Sequence, residues 1–117
     1  MMTAEQLRDA FRSSRKSVTI TLSDFGEIRL TQMVVSDAMP LLEVAASFAS
    51  KAVSTSEMAE FWVSIISKCV VDEAGELVFD SDEGRSIVRG LRIDWLTELG
   101  NAAVAINGIG EEKKSQS

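Results

Sequence analysis

Carboxylates are the most numerous side chains in this sequence that could do chemistry. Six of them fall within twelve residues: Asp72, Glu73, Glu76, Asp80, Asp82 and Glu83. The segment has the length of an EF-hand calcium loop, which needs oxygen ligands at its third and fifth positions and glycine at its sixth. Here Ala74 is third, Glu76 fifth and Leu77 sixth. Because the third and sixth positions fail, we expect acidic turns here and no metal site.

The sequence offers little for enzymatic catalysis. It contains no histidine, which removes the most common general base and metal ligand. No pair of carboxylates is set apart by its spacing, and neither a Gly-x-Ser-x-Gly elbow nor a glycine-rich phosphate loop is present. We therefore expect no enzyme and no cofactor. The single cysteine, Cys69, should be a small buried hydrophobe in a reducing compartment.

Length and composition indicate one folded domain. The 117 residues are 45% hydrophobic, which is enough for a core. The net charge of −6 argues against nucleic acid as a partner, because a phosphate backbone needs clustered lysine and arginine. The sequence has no run of 18 apolar residues and no secretory signal pattern, so we expect an intracellular protein that does not enter a membrane.

One helical pattern organises the rest of the chain. From Ser54 onward, apolar residues recur at the spacing of one helix face: Met58, Phe61, Trp62, Ile65, Ile66 and Cys69. Ser54 and Glu57 form a capping-box sequence at its start, and residues 72–76 carry turn chemistry after its end. The pattern predicts a helix in the core.

A β-hairpin is predicted before that helix. Residues 18–22 and 28–31 alternate between apolar and polar, and residues 23–26 supply a turn in which Gly26 takes a positive φ. Val18 and the other apolar members should face the core, whereas Thr19, Thr21, Arg29 and Thr31 should face outward. An isolated hairpin is only marginally stable, so it should pack on helices or pair with another copy through its edge.

Three more helices are expected in the main domain. The first should begin near Ser36 or Asp37, place Pro40 in its first turn and pack through a stripe of mostly small residues: Leu41, Val44, Ala45, Phe48, Ala49 and Ala52. A short helix weakened by Gly84 and Gly90 should follow residues 80–83, and a last helix should run from Asp94 to Asn107. The predicted class is α+β, mostly helical, with an N-terminal β-hairpin packed on a small bundle of about four helices.

The two ends of the chain differ from its middle. Thr3 and Gln6 form a capping box for a short helix, and residues 12–16 read as a basic, solvated linker. Residues 111–117 are polar and low in apolar content. We therefore expect an N-terminal helix and linker at 1–16, a single globular domain at 17–110 and a disordered polar tail at 111–117.

Large apolar side chains are plentiful for a domain of this size. Most should lie in the core, but several amphipathic helices and a small hairpin leave apolar surface that would bind protein. Phe61, Trp62 and Trp95 are the candidate partner-binding residues, because aromatic side chains dominate interface energetics.

The order of these motifs resembles the tail assembly chaperones of long-tailed (siphovirus-type) bacteriophages or prophages. The matching pieces are V-x-I-x-L at 18–22, G-E-I-R-L at 26–30, the end of the central helix with V-V-D-E-x-G-x-x-x-F at 69–79, S-D-E at 81–83 and the end of the last helix with N-G-I-G at 102–110. The resemblance extends over roughly residues 15–112, and the order of the pieces carries it. In that family the turn more often continues with a charged residue and proline, so the sequence at 76–79 allows a short strand instead.

The resemblance implies a small non-enzymatic protein of the host bacterial cytoplasm. Such a chaperone binds and solubilises the helix-rich tape measure protein, helps to recruit tail tube protein and then dissociates. The family often has a second, longer product made by programmed ribosomal frameshifting, and Glu112–Lys114 is compatible with a slippery codon run. Homo-oligomers are expected, and neither nucleic acid nor membrane is an expected partner.

Two other functions are weighed against this one. An acidic protein-binding module or inhibitor that mimics nucleic acid would need a contiguous acidic face, whereas the acids here cluster in turns and alternate with lysine and arginine. A small hydrolase acting through carboxylates would need a polar pocket that shifts their pKa values, and the sequence shows no sign of one.

Overall fold

The fold combines five helices with a small antiparallel sheet over residues 1–109, the part of the chain that the computed structural model describes. The elements are α1 (Ala4–Arg12), β1 (Ser17–Leu22), β2 (Gly26–Thr31), α2 (Val35–Phe48), α3 (Thr55–Ser67), β3 (Val70–Val71), α4 (Asp82–Arg89) and α5 (Ile93–Ile106). This confirms the predicted α+β, mostly helical class. The predicted polar tail at 111–117 lies outside the described residues. None of the helices within 1–109 combines the length and apolarity needed to cross a bilayer.

Helix α3 is the centre of the fold, as predicted. The Ser54 hydroxyl accepts a hydrogen bond from the Glu57 amide at 3.1 Å, and the Glu57 carboxylate accepts one from the Ser54 amide at the same distance. The helix is buried over more of its circumference than the predicted stripe, because Val63 and Ser67 are inside as well. It contacts α2, α4 and α5 and therefore sets the position of each.

The sheet has the strand order β1-β2-β3, with the predicted hairpin as its first two strands. Val18 pairs with Leu30, and Leu22 pairs with Gly26, across a turn in which Asp24 and Gly26 have φ values of 63° and 146°. The third strand was not predicted. Its two residues pair with Arg29 and Leu30 on the far side of β2, and Val71 also forms a bridge to Leu77.

The third strand changes which hairpin side chains are buried. Thr31 was predicted to face outward, and this is wrong: it is buried, its amide donates to the Cys69 carbonyl at 2.9 Å, and its hydroxyl donates to the Lys16 carbonyl at 3.2 Å. Val18 was assigned to the core but is exposed near the start of β1. The alternation of apolar and polar residues in the hairpin does not show that β3 covers the β2 edge while the β1 edge stays open.

Helix α2 begins and ends earlier than predicted. Its N-cap is Val34, which provides no side-chain hydrogen bond, so the start does not depend on Ser36 or Asp37. The preceding Met33 amide instead donates to the Asn107 side-chain oxygen at 2.8 Å, which holds the chain where the helix begins. Pro40 therefore lies beyond the first turn, and Ala52 lies outside the helix.

Gly84 permits close packing at the start of α4. A Cβ at this position would lie 2.5 Å from the Phe79 Cα, which is backbone and cannot rotate away. We expect Gly84→Ala to lower the free energy of unfolding by about 1–3 kcal/mol, as overpacking does in tight cores. Gly90→Ala is the matched control, because its nearest atom would be 3.6 Å away. Urea denaturation of both variants measures the difference, and equal stabilities would contradict the packing argument.

Cys69 is buried at the end of α3, as the sequence predicted. Burial raises the pKa of its thiol to about 11, and a contact of 3.2 Å from the Asn107 side-chain nitrogen partly opposes that shift. Since the folded pKa lies above the 9.0 of an unburied thiol, this group stabilises the fold below about pH 9 and loses that effect as the pH rises towards 11.

The pH dependence of stability should therefore carry a contribution from this thiol. The free energy of unfolding should fall by about 2–3 kcal/mol more in wild type than in Cys69→Ala between pH 8 and pH 11. Urea titrations across that range measure the difference, because other titrating groups are common to both proteins. Parallel pH profiles for the two proteins would contradict a buried, protonated thiol.

Candidate partner-binding surface

The outer face of α2 is an exposed apolar stripe, here called the outer α2 stripe. It consists of Val35, Met39, Leu42, Ala46 and Ala49. The three large members are 75%, 53% and 45% exposed in chain order. Their spacing of four and three residues places them on one side of the helix, in the pattern of a coiled-coil seam.

A neighbouring face of α2, about 100° away around the helix axis, packs on α3. Its members Ala38, Leu41, Ala45 and Phe48 are half-buried, and no residue of the helix is fully buried. A helix that is apolar on two faces is normally enclosed by protein on both. Among residues 1–109 only one of these faces is covered, so the outer α2 stripe has the character of a docking surface.

Two contacts described here hold α2 against the rest of the domain. Near its start, the Lys68 ammonium lies 3.7 Å from the Asp37 carboxylate, and it is itself held by Asp80 at 2.9 Å. At its end, the rings of Phe48 and Phe61 meet edge to face with centroids 5.7 Å apart. The stripe therefore lies on a helix fixed at both ends.

Two charged groups next to α2, Lys68 and Glu57, have shifted pKa values. The pKa of Lys68 is raised, chiefly by its hydrogen bond to Asp80, and burial opposes the shift. The pKa of Glu57 is lowered, chiefly by a hydrogen bond of 2.8 Å from Lys51 in the loop after α2. Both shifts favour the charged form at neutral pH, which suits a structural ion pair better than proton transfer.

Glu43 is the acidic residue at the border of the outer α2 stripe. It is one of two acids in α2, which contains no basic residue, and the other, Asp37, lies towards α3 and pairs with Lys68. Glu43 takes part in none of the ion pairs found within residues 1–109. An apolar helix flanked by lysine or arginine therefore complements this surface best.

Of the three predicted partner-binding residues, Phe61 lies inside the domain. It is 7% exposed and packs against Phe48. Phe61 therefore helps to position α2 through its contact with Phe48. That Phe61 also contacts a partner stays a prediction.

Trp62 lies beside Phe61 in the chain but is half-buried and contacts α5. A Cβ added to Gly100 would come within 2.8 Å of its indole ring, so the small glycine lets the two helices approach. The Trp62 ring thus covers part of the α3–α5 junction.

Trp95 lies at the start of α5, where it contacts the hairpin turn. Its indole nitrogen donates to the Ser23 carbonyl at 2.7 Å, and its ring meets that of Phe25 with centroids 5.5 Å apart. The Arg92 guanidinium lies 4.6 Å from the centroid of the same indole. Phe25 is exposed, so this cluster forms a second apolar surface. The three predicted residues thus contact three different elements.

The sequence analysis missed the outer α2 stripe, although its signal is present. It assigned one apolar face to this helix. Of the residues it selected, Leu41, Ala45 and Phe48 meet α3, and only Ala49 belongs to the outer α2 stripe. A second set at the same helical spacing lies between them in the sequence. Two interleaved stripes indicate a helix with a covered face and a face available to a partner.

The acidic turn at 72–76 is used for backbone capping. The Asp72 carboxylate accepts hydrogen bonds from the amides of Ala74 and Glu76 at 2.9 and 3.0 Å. Within residues 1–109, no three side chains of His, Cys, Asp or Glu converge in a way that could hold a metal ion.

Comparison with known proteins identifies a related fold. No family profile matches the sequence, and no curated protein matches it either. Among solved structures, the tail assembly chaperone of bacteriophage HK97 matches with a TM-score of 0.59 and 18% sequence identity. The match covers 88% of this chain and 98% of the HK97 protein. At this identity the likeness establishes a shared fold over nearly the whole domain.

Proposed function

We propose that this chain is a tail assembly chaperone of a long-tailed phage or prophage. In the host bacterial cytoplasm it binds and solubilises the tape measure protein, helps to recruit tail tube subunits and then dissociates. The observation that carries the proposal is the exposed outer α2 stripe, found in a fold shared with the HK97 tail assembly chaperone.

The outer α2 stripe has the size and spacing to receive one stretch of an amphipathic helix. From Val35 to Ala49 it extends about 21 Å at the α-helical rise of about 1.5 Å per residue. A helix laid on it would bury apolar anchors at three- and four-residue spacing. A long helical client offers many such stretches, so many copies of a small chaperone could coat it.

Reversible release follows from the small area of each contact. A single helix pair buries less than the roughly 1,200 Å² of a stable complex. Each copy therefore binds weakly, while many copies together keep the client soluble. Polymerising tail tube protein could then displace the copies one at a time.

A pull-down tests the proposal. The purified chain, immobilised through its C-terminus, is incubated with refolded segments of the tape measure protein encoded in the same genome. Segments with apolar heptads and basic flanks should be retained, and an acidic two-stranded coiled coil should not. Equal retention of both, or of neither, would overturn the proposal.

The Phe25–Trp95 cluster is the proposed site of a second contact, with either tail protein. Trp95→Ala removes the indole and its hydrogen bond to Ser23. We expect a three- to tenfold weaker interaction with the tape measure or tail tube protein, because a part-exposed aromatic anchor is worth about 1 kcal/mol. Isothermal titration with each protein measures the loss. Unchanged affinity for both would remove Trp95 from the set of partner contacts.

Programmed frameshifting is a separable part of the proposal. Expression of the gene with its native downstream DNA, followed by intact-mass spectrometry, should reveal a minor longer product that diverges near Glu112–Lys114. A single 117-residue product would remove frameshifting from the account and leave the client-binding role to the pull-down.

A further inference from the structure

Three arginines from different elements surround one small pocket, here called the arginine pocket. Arg12 lies in the last turn of α1, Arg15 in the linker that follows, and Arg29 on β2. The pocket has a volume of about 170 Å³, and its buried lining residues are Thr31 and Val71. Among the described residues that line it, none is acidic.

The backbone brings these arginines together. In the register of the hairpin, Ser17 and Arg29 belong to the same face of the sheet. Just before Ser17, the amide and the carbonyl of Lys16 are each bonded to Gln32 at 2.9 Å. Arg15 is therefore held beside the face that carries Arg29.

Two of the three arginines have no carboxylate partner among residues 1–109. Arg15 and Arg29 take part in none of the ion pairs found there, whereas Arg12 is bonded to Asp9. The arginines that follow β3 each bond a carboxylate: Arg85, Arg89 and Arg92. Unpaired like charges around one pocket repel each other, so an anion bound between them would stabilise the arrangement.

We propose that the arginine pocket binds the carboxylates of a short acidic segment of a partner protein. A planar guanidinium donates two parallel hydrogen bonds to a carboxylate, so Arg15 and Arg29 can each hold one. The Ser17 hydroxyl lines the same pocket and is a further donor. The volume of about 170 Å³ equals that of about six water molecules in the liquid, which is room for one or two carboxylates but not for a folded element.

The surroundings favour a short acidic segment over a nucleic acid. Arg29 also borders a neighbouring groove, whose lining includes three acids: Glu27, Asp72 and Glu73. The whole chain has a net charge of −6. A phosphate backbone that continued past the pocket would meet these acids, whereas one or two carboxylates would not.

The arginine pocket and the outer α2 stripe have no residue in common. One chain could therefore hold a helix with basic flanks on the stripe and an acidic segment in the pocket. Binding at the pocket does not require the proposed client, because its lining residues belong to α1, the linker and the sheet side of the domain.

Fluorescence anisotropy of a labelled peptide with two adjacent glutamates tests the proposal on the full chain. Wild type should bind this peptide saturably and should not bind the same peptide with glutamines. Arg15→Gln and Arg29→Gln should each weaken binding about fivefold, as the loss of one exposed ion pair does. Both side chains are exposed, so folding should persist, and circular dichroism checks this. Contacts this few should be seen in titrations and not survive the washes of a pull-down.

Arg8→Gln is the matched control. Arg8 is an exposed arginine of α1 that does not line the pocket, and its replacement changes the net charge by the same amount. The affinity of the Arg8→Gln variant for the glutamate peptide should stay within about twofold of the wild-type value, because long-range attraction between exposed charges is screened by salt.

Three results would overturn the proposal. A wild-type chain that does not bind the glutamate peptide saturably would show that the pocket holds no carboxylate. Equal losses in Arg8→Gln and Arg29→Gln would show general charge attraction, and tighter binding of a short thymidine oligonucleotide than of the peptide would show a nucleic-acid site. Arg29→Gln should still bind tape measure segments, so this test and that of the proposed function can fail separately.

Discussion

Leu42→Asp is expected to reduce capture of the tape measure protein at least tenfold while leaving the domain folded. The side chain lies mid-way along the outer α2 stripe and is 45% exposed, so its replacement costs the fold little. In a complex, the new carboxylate would be desolvated on an apolar seam, next to the acidic Glu43. A buried unpaired charge costs well over the 1.4 kcal/mol that corresponds to tenfold in affinity. Titration calorimetry with a retained client segment measures the change.

Ile87→Asp is the matched control for that variant. Ile87 is an apolar residue on α4 with a similar exposed fraction, 52%, and it lies outside the stripe. The affinity of the Ile87→Asp variant for the client should equal that of the wild-type chain. If the two variants lose affinity equally, general acidity rather than the outer α2 stripe governs binding, and the assignment of the surface is wrong.

Trp62→Ala is expected to lower the free energy of unfolding by about 3 kcal/mol, the second large effect. The indole ring packs over Gly100 where α3 meets α5, and a truncated ring would leave a cavity between two core helices. Urea denaturation followed by circular dichroism measures the loss.

The same variant separates the two roles considered for Trp62. If the ring mainly supports packing, the folded fraction of Trp62→Ala should still bind client with wild-type affinity. Unchanged stability together with weakened binding would instead show that Trp62 is a partner anchor, as the sequence analysis predicted.

Local sequence signals were sufficient for most of the elements. Capping residues at Thr3 and Ser54 mark the starts of α1 and α3, and the structure shows each side chain accepting the expected amide. At α4, Ser81 within the acidic run at 80–83 accepts the Gly84 amide. The predicted end of the last helix at Asn107 agrees with its C-cap position in the structure, and Gly108 follows at a φ of 72°. These signals act over three or four residues, so they can be read without knowledge of the tertiary fold.

Features that depend on distant contacts were not predicted. Strand β3 has two residues and exists because they pair with Arg29 and Leu30, roughly forty positions earlier. The start of α2 depends on a hydrogen bond from the Met33 amide to the Asn107 side chain. Glycine is needed at position 84 because the Phe79 backbone lies too close for a Cβ. The glycine was interpreted as a weak point in a helix, but its lack of a side chain is what lets the turn pack against α4.

The candidate partner-binding surface was likewise predictable only where it depends on local sequence. Helical spacing revealed that α2 is apolar, but which of its faces is covered is decided by α3, through the Phe48–Phe61 contact. Aromatic side chains were predicted as anchors because of their size, and Phe61 is in fact buried. The exposed apolar surface is formed mainly by aliphatic residues, which composition alone does not distinguish from core.

Co-expression with the full-length tape measure protein from the same genome tests the central claim most directly. The measured quantity is the fraction of tape measure protein that remains soluble after lysis and centrifugation. We predict that it is mostly insoluble when expressed alone, mostly soluble and co-purified when wild-type chain is present, and insoluble again with Leu42→Asp. A tape measure protein whose solubility is unaffected by the wild-type chain would contradict the proposed function.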